Sequence, residues 1–153
     1  MTVKNGTTVL AKGTDYTVSD ASGRKNVGSY KVTVKLKGNY SGSNTVSFKI
    51  IPKGTTLGTL TPASNAVAVK WTKQAKKMST SRITAYQIQL ATDSGFTKNK
   101  KTVTVRGYST VSWKVTKLLG GKKYYVRIRT YKTVNDVKYY SKWSKAKTVT
   151  TKK

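Results

Sequence analysis

The amino-acid sequence predicts an all-β chain built as two tandem β-sandwich modules. The first observation is a strict alternation of apolar and polar residues in several segments. In the clearest segment one face of the strand would carry Tyr124, Val126 and Ile128. The other face would carry Tyr125, Arg127 and Arg129. Such alternation is typical of a strand with one buried and one solvated face. The second observation is a composition rich in Thr, Ser, Val, Lys and Tyr with only two Pro, which suits strands joined by turns.

A short segment near the end of the first third of the chain marks the boundary between the modules. It contains Pro52 and Gly54, two residue types that commonly interrupt regular structure. We therefore place the first module at residues 1–52 and the second at residues 53–153. The first module is small, and a chain of about fifty residues is marginal for an independent core.

The first module is predicted to contain short strands separated by glycine turns. Asn5-Gly6 is expected to form a two-residue hairpin turn, because both residue types tolerate positive φ. Two longer strands are predicted at residues 30–36 and 46–50, and each has an apolar side chain at every second position. The intervening residues 38–43 are rich in Gly, Asn and Ser and are expected to form a turn.

The second module is predicted to contain seven strands, which is the number expected of an Ig-like sandwich. The segments with strand-like patterns are residues 57–60, 66–72, 83–92, 101–106, 111–115, 123–132 and 137–150. The apolar residues expected to face the core are Val67, Val69, Trp71, Tyr86, Ile88, Leu90, Val103 and Val105. Leu118, Gly121 and Tyr124 have the spacing of a tyrosine corner, in which the Tyr hydroxyl bonds back across the turn.

The second module resembles a fibronectin type III domain. Four structural features carry the resemblance: Trp71, Tyr86, the Leu118/Gly121/Tyr124 corner and Trp143. Ser141-Lys142-Trp143-Ser144 also resembles half of the Trp-Ser box of cytokine receptors, in which tryptophan and arginine side chains interleave. That resemblance implies that Arg127 and Arg129 stack on Trp143. We favour a structural ladder over the alternative, an aromatic platform that binds a ligand.

The first module resembles the C-terminal part of the Ig-like or MBG-type repeats of Gram-positive surface proteins. The matching residues are Leu10, Gly13, Asp15, Tyr16, Val18, Gly28, Tyr30, the segment 38–42 and the segment 48–50. In that family one or more strands precede the matching region. The resemblance therefore implies a partial repeat, or a repeat that receives a strand from a neighbouring copy. The alternative is that the sheet packs on the second module.

The sequence offers very little for catalysis. It contains no His, the commonest general base, and no Cys, the best nucleophile. It also contains no Glu, so that Asp is its only carboxylate residue type. The four acids are Asp15, Asp20, Asp93 and Asp136. Asp15, Asp93 and Asp136 are expected to stabilise turns. We therefore predict no enzyme activity, no metal site and no cofactor.

The charge predicts an anionic partner. The chain has 31 Lys and Arg against 4 acids and a net charge of +27, and Lys greatly outnumbers Arg. Lysine suits diffuse attraction, whereas arginine suits bidentate recognition of oxyanions. The alternative is that the lysines only solvate the sheets and protect strand edges. The candidate polyanion-binding residues are Lys98, Lys100, Lys101, Lys122, Lys123, Arg127, Arg129, Lys142, Lys145 and Lys147.

The combined interpretation is a non-enzymatic extracellular spacer or adhesion module, held near an anionic cell-wall polymer by lysine charge. The resemblances imply the C-terminal region of a Gram-positive cell-surface protein, of which this chain is a fragment without its export signal. One alternative is a dedicated module for a polyanion or carbohydrate, such as glycosaminoglycan or teichoic acid. Another is self-assembly through strand complementation by residues 1–52. No membrane span and no nucleic-acid motif is recognised.

Overall fold

The computed structural model describes residues 2–19, 23–78 and 81–153, and these residues form thirteen strands and no helix. The predicted all-β fold class is confirmed. The chain divides into two compact units, Met1–Ile50 and Ile51–Lys153, which we call the N-terminal and the C-terminal unit.

The N-terminal unit contains a short hairpin and a three-stranded sheet. The hairpin pairs β1 (Lys4–Asn5) with β2 (Thr8–Val9). The sheet is antiparallel in the order β3-β4-β5, and its strands are Tyr16–Ser19, Gly28–Leu36 and Ser43–Ile50. β5 lies at the edge of this sheet, with a neighbouring strand on one side only among the described residues.

The hairpin turn lies one residue later than the sequence predicts. Asn5 pairs with Thr8, so the two turn residues are Gly6 and Thr7 and the predicted Asn5-Gly6 turn is wrong. Gly6 has a φ of 57°. A turn with glycine at its first central position places the positive φ there, which leaves Asn5 free to take a strand position.

The buried cluster of the N-terminal unit is small. It consists of Leu10, Tyr16 and Val34, with four partly buried residues packed against it. On β5, Val46 and Phe48 lie opposite Val32 and Tyr30, as the alternation requires, but their side chains are 52% and 37% exposed. The apolar face of this sheet is therefore only partly covered.

The C-terminal unit contains two antiparallel sheets. The small sheet has the order β10-β7-β6, with strands Ser112–Val115, Ala66–Trp71 and Leu57–Ala63. The strands of the large sheet are β8 (Ala85–Ala91), β9 (Lys101–Arg106), β11 (Lys123–Val134), β12 (Val137–Tyr140) and β13 (Lys147–Thr150). Their order is β12-β11-β8-β9, and β13 also pairs with β11.

The core of the C-terminal unit lies between the inner faces of the two sheets. The small sheet contributes Val67, Val69 and Trp71, and the large sheet contributes the even-numbered apolar residues of β8 and β11. Tyr86, Ile88, Leu90, Val126 and Ile128 are fully buried. The alternation predicted for these strands therefore places the expected residues inside.

The last predicted strand, residues 137–150, is two strands in the structure. β12 and β13 are separated by residues 141–146, which interrupt the ladder. The physical reason is that two serine hydroxyls replace backbone carbonyls as acceptors on this edge of β11. Ser141 Oγ accepts from the Thr130 N–H at 3.0 Å, and Ser144 Oγ accepts from the Ile128 N–H at 3.1 Å.

A tyrosine corner fixes the turn that leads into β11. The Leu119 N–H donates to the Tyr124 hydroxyl at 3.0 Å, which is the hydrogen bond that the spacing of Leu118, Gly121 and Tyr124 predicts. Gly121 has a φ of 61°, a region that favours glycine. The corner lies directly before β11, whose odd-numbered residues Arg127 and Arg129 face away from the core.

Candidate functional site

The outer face of the large sheet carries a stack of alternating aromatic and arginine side chains. Its order is Phe96, Arg127, Trp143, Arg129 and Tyr140, and we call these five residues the ladder. Arg127 Cζ lies 3.9 Å from the Phe96 ring centroid and 4.5 Å from that of Trp143. Arg129 Cζ lies 4.2 Å from the Trp143 centroid and 3.8 Å from that of Tyr140. Each guanidinium is thus held between two rings.

The strand pattern brings both arginines to the same face. Arg127 and Arg129 are odd-numbered residues of β11, and the even-numbered residues face the core. Trp143 comes from the segment between β12 and β13. The flanking Ser141 and Ser144 fix that segment to β11 through their hydroxyls, so that the indole lies between the two arginines.

Phe96 reaches the ladder from the connection between β8 and β9. Its φ is 58°, and its N–H donates to the Asp93 carbonyl at 3.2 Å. The Asp93 carboxylate accepts from the Lys98 N–H at 2.7 Å and the Thr97 N–H at 2.9 Å. The hydrogen bond from the Lys98 N–H is the main reason that the pKa of Asp93 is lowered. Asp93 therefore stabilises the turn that positions Phe96.

Two glutamines of β8 hold the arginines from the side. Gln89 lies opposite Arg127 and Gln87 opposite Arg129 in the strand register. Gln89 Oε1 accepts from Arg127 Nε at 2.9 Å and from the Nη2 group at 2.6 Å. Gln87 Oε1 accepts from Arg129 Nε at 2.8 Å. The two guanidinium planes are consequently fixed both by stacking and by hydrogen bonds.

The partners of the two arginines are neutral. Burial lowers the pKa of Arg127, and among the described residues no acidic side chain offsets this effect. Burial also lowers the pKa of Arg129; the phenol of Tyr140 acts in the opposite direction, and the positive charge of Arg127 lowers that pKa further. The ladder therefore holds two like charges that are partly withdrawn from water.

The aromatic stack continues beyond Tyr140. The rings of Tyr140 and Tyr131 have centroids 5.4 Å apart, and Lys138 Nζ lies 5.6 Å from the centroid of Tyr131. Farther along the same face, Lys123 Nζ lies 5.4 Å from the centroid of Tyr125. The outer face of the large sheet thus combines aromatic and cationic groups over the length of β11.

The structure does not gather the ten predicted polyanion-binding residues on one surface. Only Lys123, Arg127 and Arg129 share the outer face of β11. Lys101 and Lys147 lie opposite Leu90 and Val126, on the inward side of their strands. Their amines donate to the Thr116 carbonyl at 2.5 Å and to the Gly58 carbonyl at 2.8 Å. The other five predicted residues are exposed lysines of connecting segments, namely Lys98, Lys100, Lys122, Lys142 and Lys145.

The residues predicted to be structural lie where the fold needs them. Trp71, Tyr86, Leu118 and Tyr124 are buried in the core, and the Trp71 and Tyr86 ring centroids are 5.2 Å apart. The Tyr86 hydroxyl accepts from the Gln74 N–H and donates to the Tyr108 carbonyl. Trp143 is partly buried and forms the centre of the ladder.

Sequence reasoning gave three residues no role in this site: Phe96, Gln87 and Gln89. The direction of the glutamines could have been predicted, because they alternate with the inward residues of β8 and must face outward beside β11. Phe96 lies in a loop at positive φ, where no periodicity indicates the direction of a side chain.

Residues 2–19, 23–78 and 81–153 contain no group of three His, Cys, Asp or Glu side chains able to hold a metal ion. None of these residues belongs to a helix that is long and apolar enough to cross a membrane.

Two solved structures have folds similar to this chain over most of its length. The FN1–FN3 domains of chicken CNTN1 match with a TM-score of 0.55 and 19% identity, over 84% of this chain and 44% of that one. A β-1,2-glucanase from Parabacteroides distasonis matches with a TM-score of 0.50 and 18% identity, over 80% of this chain and 18% of that one. The chain thus spans less than half of either protein, and these likenesses show the fold alone.

The family is established by a sequence comparison. No protein with a curated description matches the chain. The family model of the fibronectin type III domain, however, matches residues 51–147. This confirms the resemblance that the tyrosine corner and the tryptophans indicate, while the MBG-type assignment of residues 1–52 stays a prediction. Because the match covers more than half of the 153 residues, the chain belongs to the fibronectin type III family.

Proposed function

We propose that this chain is a non-enzymatic extracellular spacer or adhesion module, held near an anionic cell-wall polymer by its lysine charge. Fibronectin type III domains are typically non-catalytic and commonly extracellular. The observation that carries the proposal is the distribution of the lysines. They lie on strands and connecting segments on several sides of the C-terminal unit and do not converge on one pocket.

The small number of acidic residues supports an external anion. The chain has only four acids against 31 basic residues. Asp93 binds backbone N–H groups, Asp15 accepts from the Ala11 N–H at 2.8 Å, and Asp136 lies at positive φ in the β11–β12 hairpin. A polymer with many negative charges would relieve the repulsion among the lysines, which opposes folding.

The same acids give no support to catalysis. A glycosidase needs two carboxyl groups flanking one bond, one of them protonated at working pH. The pKa of Asp93 is lowered, which favours the ionised form, and its oxygens are engaged by backbone donors. This arrangement is that of a structural turn residue and agrees with a binding or spacing role.

The test is retention of the full chain on purified Gram-positive cell walls, with and without teichoic acid, over a series of salt concentrations. We expect retention that needs the anionic polymer and falls steeply with salt, because binding to a polyanion releases counterions. A variant with Lys98, Lys100, Lys122, Lys142 and Lys145 changed to Gln should bind less and show a weaker salt dependence. The matched control changes the same five residues to Arg and should be retained.

The proposal fails if the wild-type chain is not retained at about physiological salt, where a Debye length of about 8 Å still permits attraction at the surface. It also fails if removal of teichoic acid leaves retention unchanged. In the first case the lysines would serve solubility and the chain would act only as a spacer. In the second case the chain would bind a component of the wall other than teichoic acid.

A second candidate function is self-assembly through the edge strand β5. The exposed Val46 and Phe48 on this strand favour it, because an apolar edge strand invites pairing with another chain. Sedimentation of the full chain should then show a dimer that Phe48→Lys disrupts, with Lys49→Gln on the opposite face as control. A monomer across the micromolar range removes this candidate.

A further inference from the structure

We infer that Arg127 and Arg129 form a defined subsite for the phosphodiester groups of an anionic polymer. This inference deepens the proposed function and rests on it. It differs in kind from diffuse lysine attraction, because the two guanidinium groups are immobilised before any ligand arrives. Arginine held in this way recognises oxyanions through directed, bidentate hydrogen bonds.

The ladder leaves one part of each guanidinium available. The planar faces are covered by the rings of Phe96, Trp143 and Tyr140. Of the five N–H donors of a guanidinium, Arg127 uses two for Gln89 and Arg129 uses one for Gln87. The described residues offer no acceptor to the others.

These remaining donors reach the surface. Among the described residues, the one buried side-chain nitrogen or oxygen without a hydrogen-bond partner is Trp71 Nε1. Arg127 and Arg129 are partly buried, so their unpartnered nitrogens must be accessible to solvent. The structure therefore presents two fixed guanidinium edges with free donors, which is the arrangement that an oxyanion requires.

The electrostatics favour an anion at this place. Both guanidinium carbons lie within 4.5 Å of the centroid of the same indole ring, and both groups are partly withdrawn from water. The glutamine oxygens are neutral acceptors and leave the two charges uncompensated. A bound phosphate would interact with both cations in surroundings where charges are weakly screened.

The spacing suits a polymer. Two residues that are two positions apart on a strand have Cα atoms about 6.6 Å apart. Arg127 and Arg129 can therefore engage one phosphate together or one phosphate each. Lys123 lies on the same face of β11 and Lys142 lies beside Trp143 in the chain, so that further phosphates along a polymer would meet additional positive charge.

The experiment follows the arginine Nε–Hε and tryptophan indole N–H signals of the full chain by NMR. Inorganic phosphate is titrated first and a soluble poly(glycerol phosphate) second, with chloride added to a reference sample to match ionic strength. We expect saturable shifts at Arg127, Arg129 and Trp143. Arg106 is an exposed arginine outside the ladder and is the internal control, which should shift little.

The matched variants conserve charge. Arg127→Lys and Arg129→Lys keep the positive charge but remove the fork of donors, and the double variant should bind poly(glycerol phosphate) at least about tenfold more weakly. Arg106→Lys should bind like the wild-type chain. The wild-type titration does not depend on the folding of any variant. Shifts that are linear and equal at Arg106 and at the ladder would overturn the inference, as would saturation with inorganic phosphate only.

Failure of this inference is distinguishable from failure of the proposed function. If the double variant is retained on cell walls as strongly as the wild-type chain, lysine charge alone holds the chain there and the arginine subsite is refuted. If poly(glycerol phosphate) saturates the ladder but the wild-type chain is not retained on walls, the subsite exists and the wall-polymer function is refuted.

Discussion

The two units of the chain bury their sheets to very different extents. In the C-terminal unit two sheets face each other, and fourteen buried residues form one cluster. In the N-terminal unit three strands and a hairpin bury a cluster of only three residues. β5 and β11 have the same alternating pattern, yet Val46 is 52% exposed and Val126 is fully buried. Alternation thus tells which residues share a face, whereas a second layer decides whether that face is buried.

The largest predicted effect comes from the same substitution in the two strands. Val126→Ala should destabilise the C-terminal unit by about 2–4 kcal/mol, because it removes two buried methyl groups and leaves a cavity. Val46→Ala should change the stability of the N-terminal unit by less than about 0.5 kcal/mol, since its side chain is largely exposed. Amide hydrogen exchange on the full chain measures both units in one sample. Equal losses in the two variants would show that a layer covers β5 in solution.

A second matched pair compares one tyrosine hydrogen bond in each unit. Tyr124→Phe removes the acceptor of the Leu119 N–H in a partly buried turn and should cost about 1–3 kcal/mol. Tyr30→Phe removes an exposed hydrogen bond to the Asn26 carbonyl, at 2.8 Å, and should cost less than about 1 kcal/mol. Hydrogen exchange, with urea unfolding followed by tryptophan fluorescence, measures the effects. The fluorescence reports on the C-terminal unit alone, which contains Trp71, Trp113 and Trp143.

A third pair asks whether the outer face of the large sheet contributes to stability. Trp143→Leu removes two cation–π contacts, each of which contributes about 0.5–2 kcal/mol, and should lower the urea midpoint. Trp113→Leu is the control, because this side chain is 47% exposed. We expect a loss of about 1–2 kcal/mol for the first variant and little change for the second. If Trp143→Leu and the wild-type chain unfold at the same urea concentration, the ladder contributes to binding and not to stability.

The centre of the ladder could be predicted from the sequence, but little of its periphery could. Period-two alternation on β11, together with the box around Trp143, was sufficient to predict that Arg127 and Arg129 stack on the indole. Phe96 escaped prediction because loop geometry at positive φ follows no period. The break between β12 and β13 escaped because Ser141 and Ser144 compete with backbone carbonyls for strand N–H groups, a local effect that hydrophobic periodicity does not record.

Two lysines of the predicted basic set point in a direction that clustering of charge does not indicate. Lys101 and Lys147 were grouped with the outward arginines because they belong to basic clusters of the sequence. Lys101 has the same parity as Val103 and Val105, which were predicted to face inward, so its direction was already contained in the pattern. The structure places both lysines on the inward side, where their amines bind carbonyl groups. Parity should therefore be applied to charged residues as strictly as to apolar ones.

The smallest predicted effect concerns the turns that aspartate stabilises in the two units. The pKa of Asp93 is lowered, chiefly by the hydrogen bond from the Lys98 N–H, so the folded state binds this proton less readily than the unfolded state. Its stabilisation is present above the ordinary pKa of Asp and is lost as the pH falls through the lowered value. Asp93→Asn should therefore flatten the acid limb of a stability curve measured between about pH 2 and pH 6. Asp15→Asn is the control, because Asp15 lies in the N-terminal unit and Asn keeps an oxygen acceptor for the single Ala11 N–H. It should leave the acid limb of the stability curve of the C-terminal unit unchanged. A steep acid limb that persists in the Asp93 variant would assign the pH dependence to other groups.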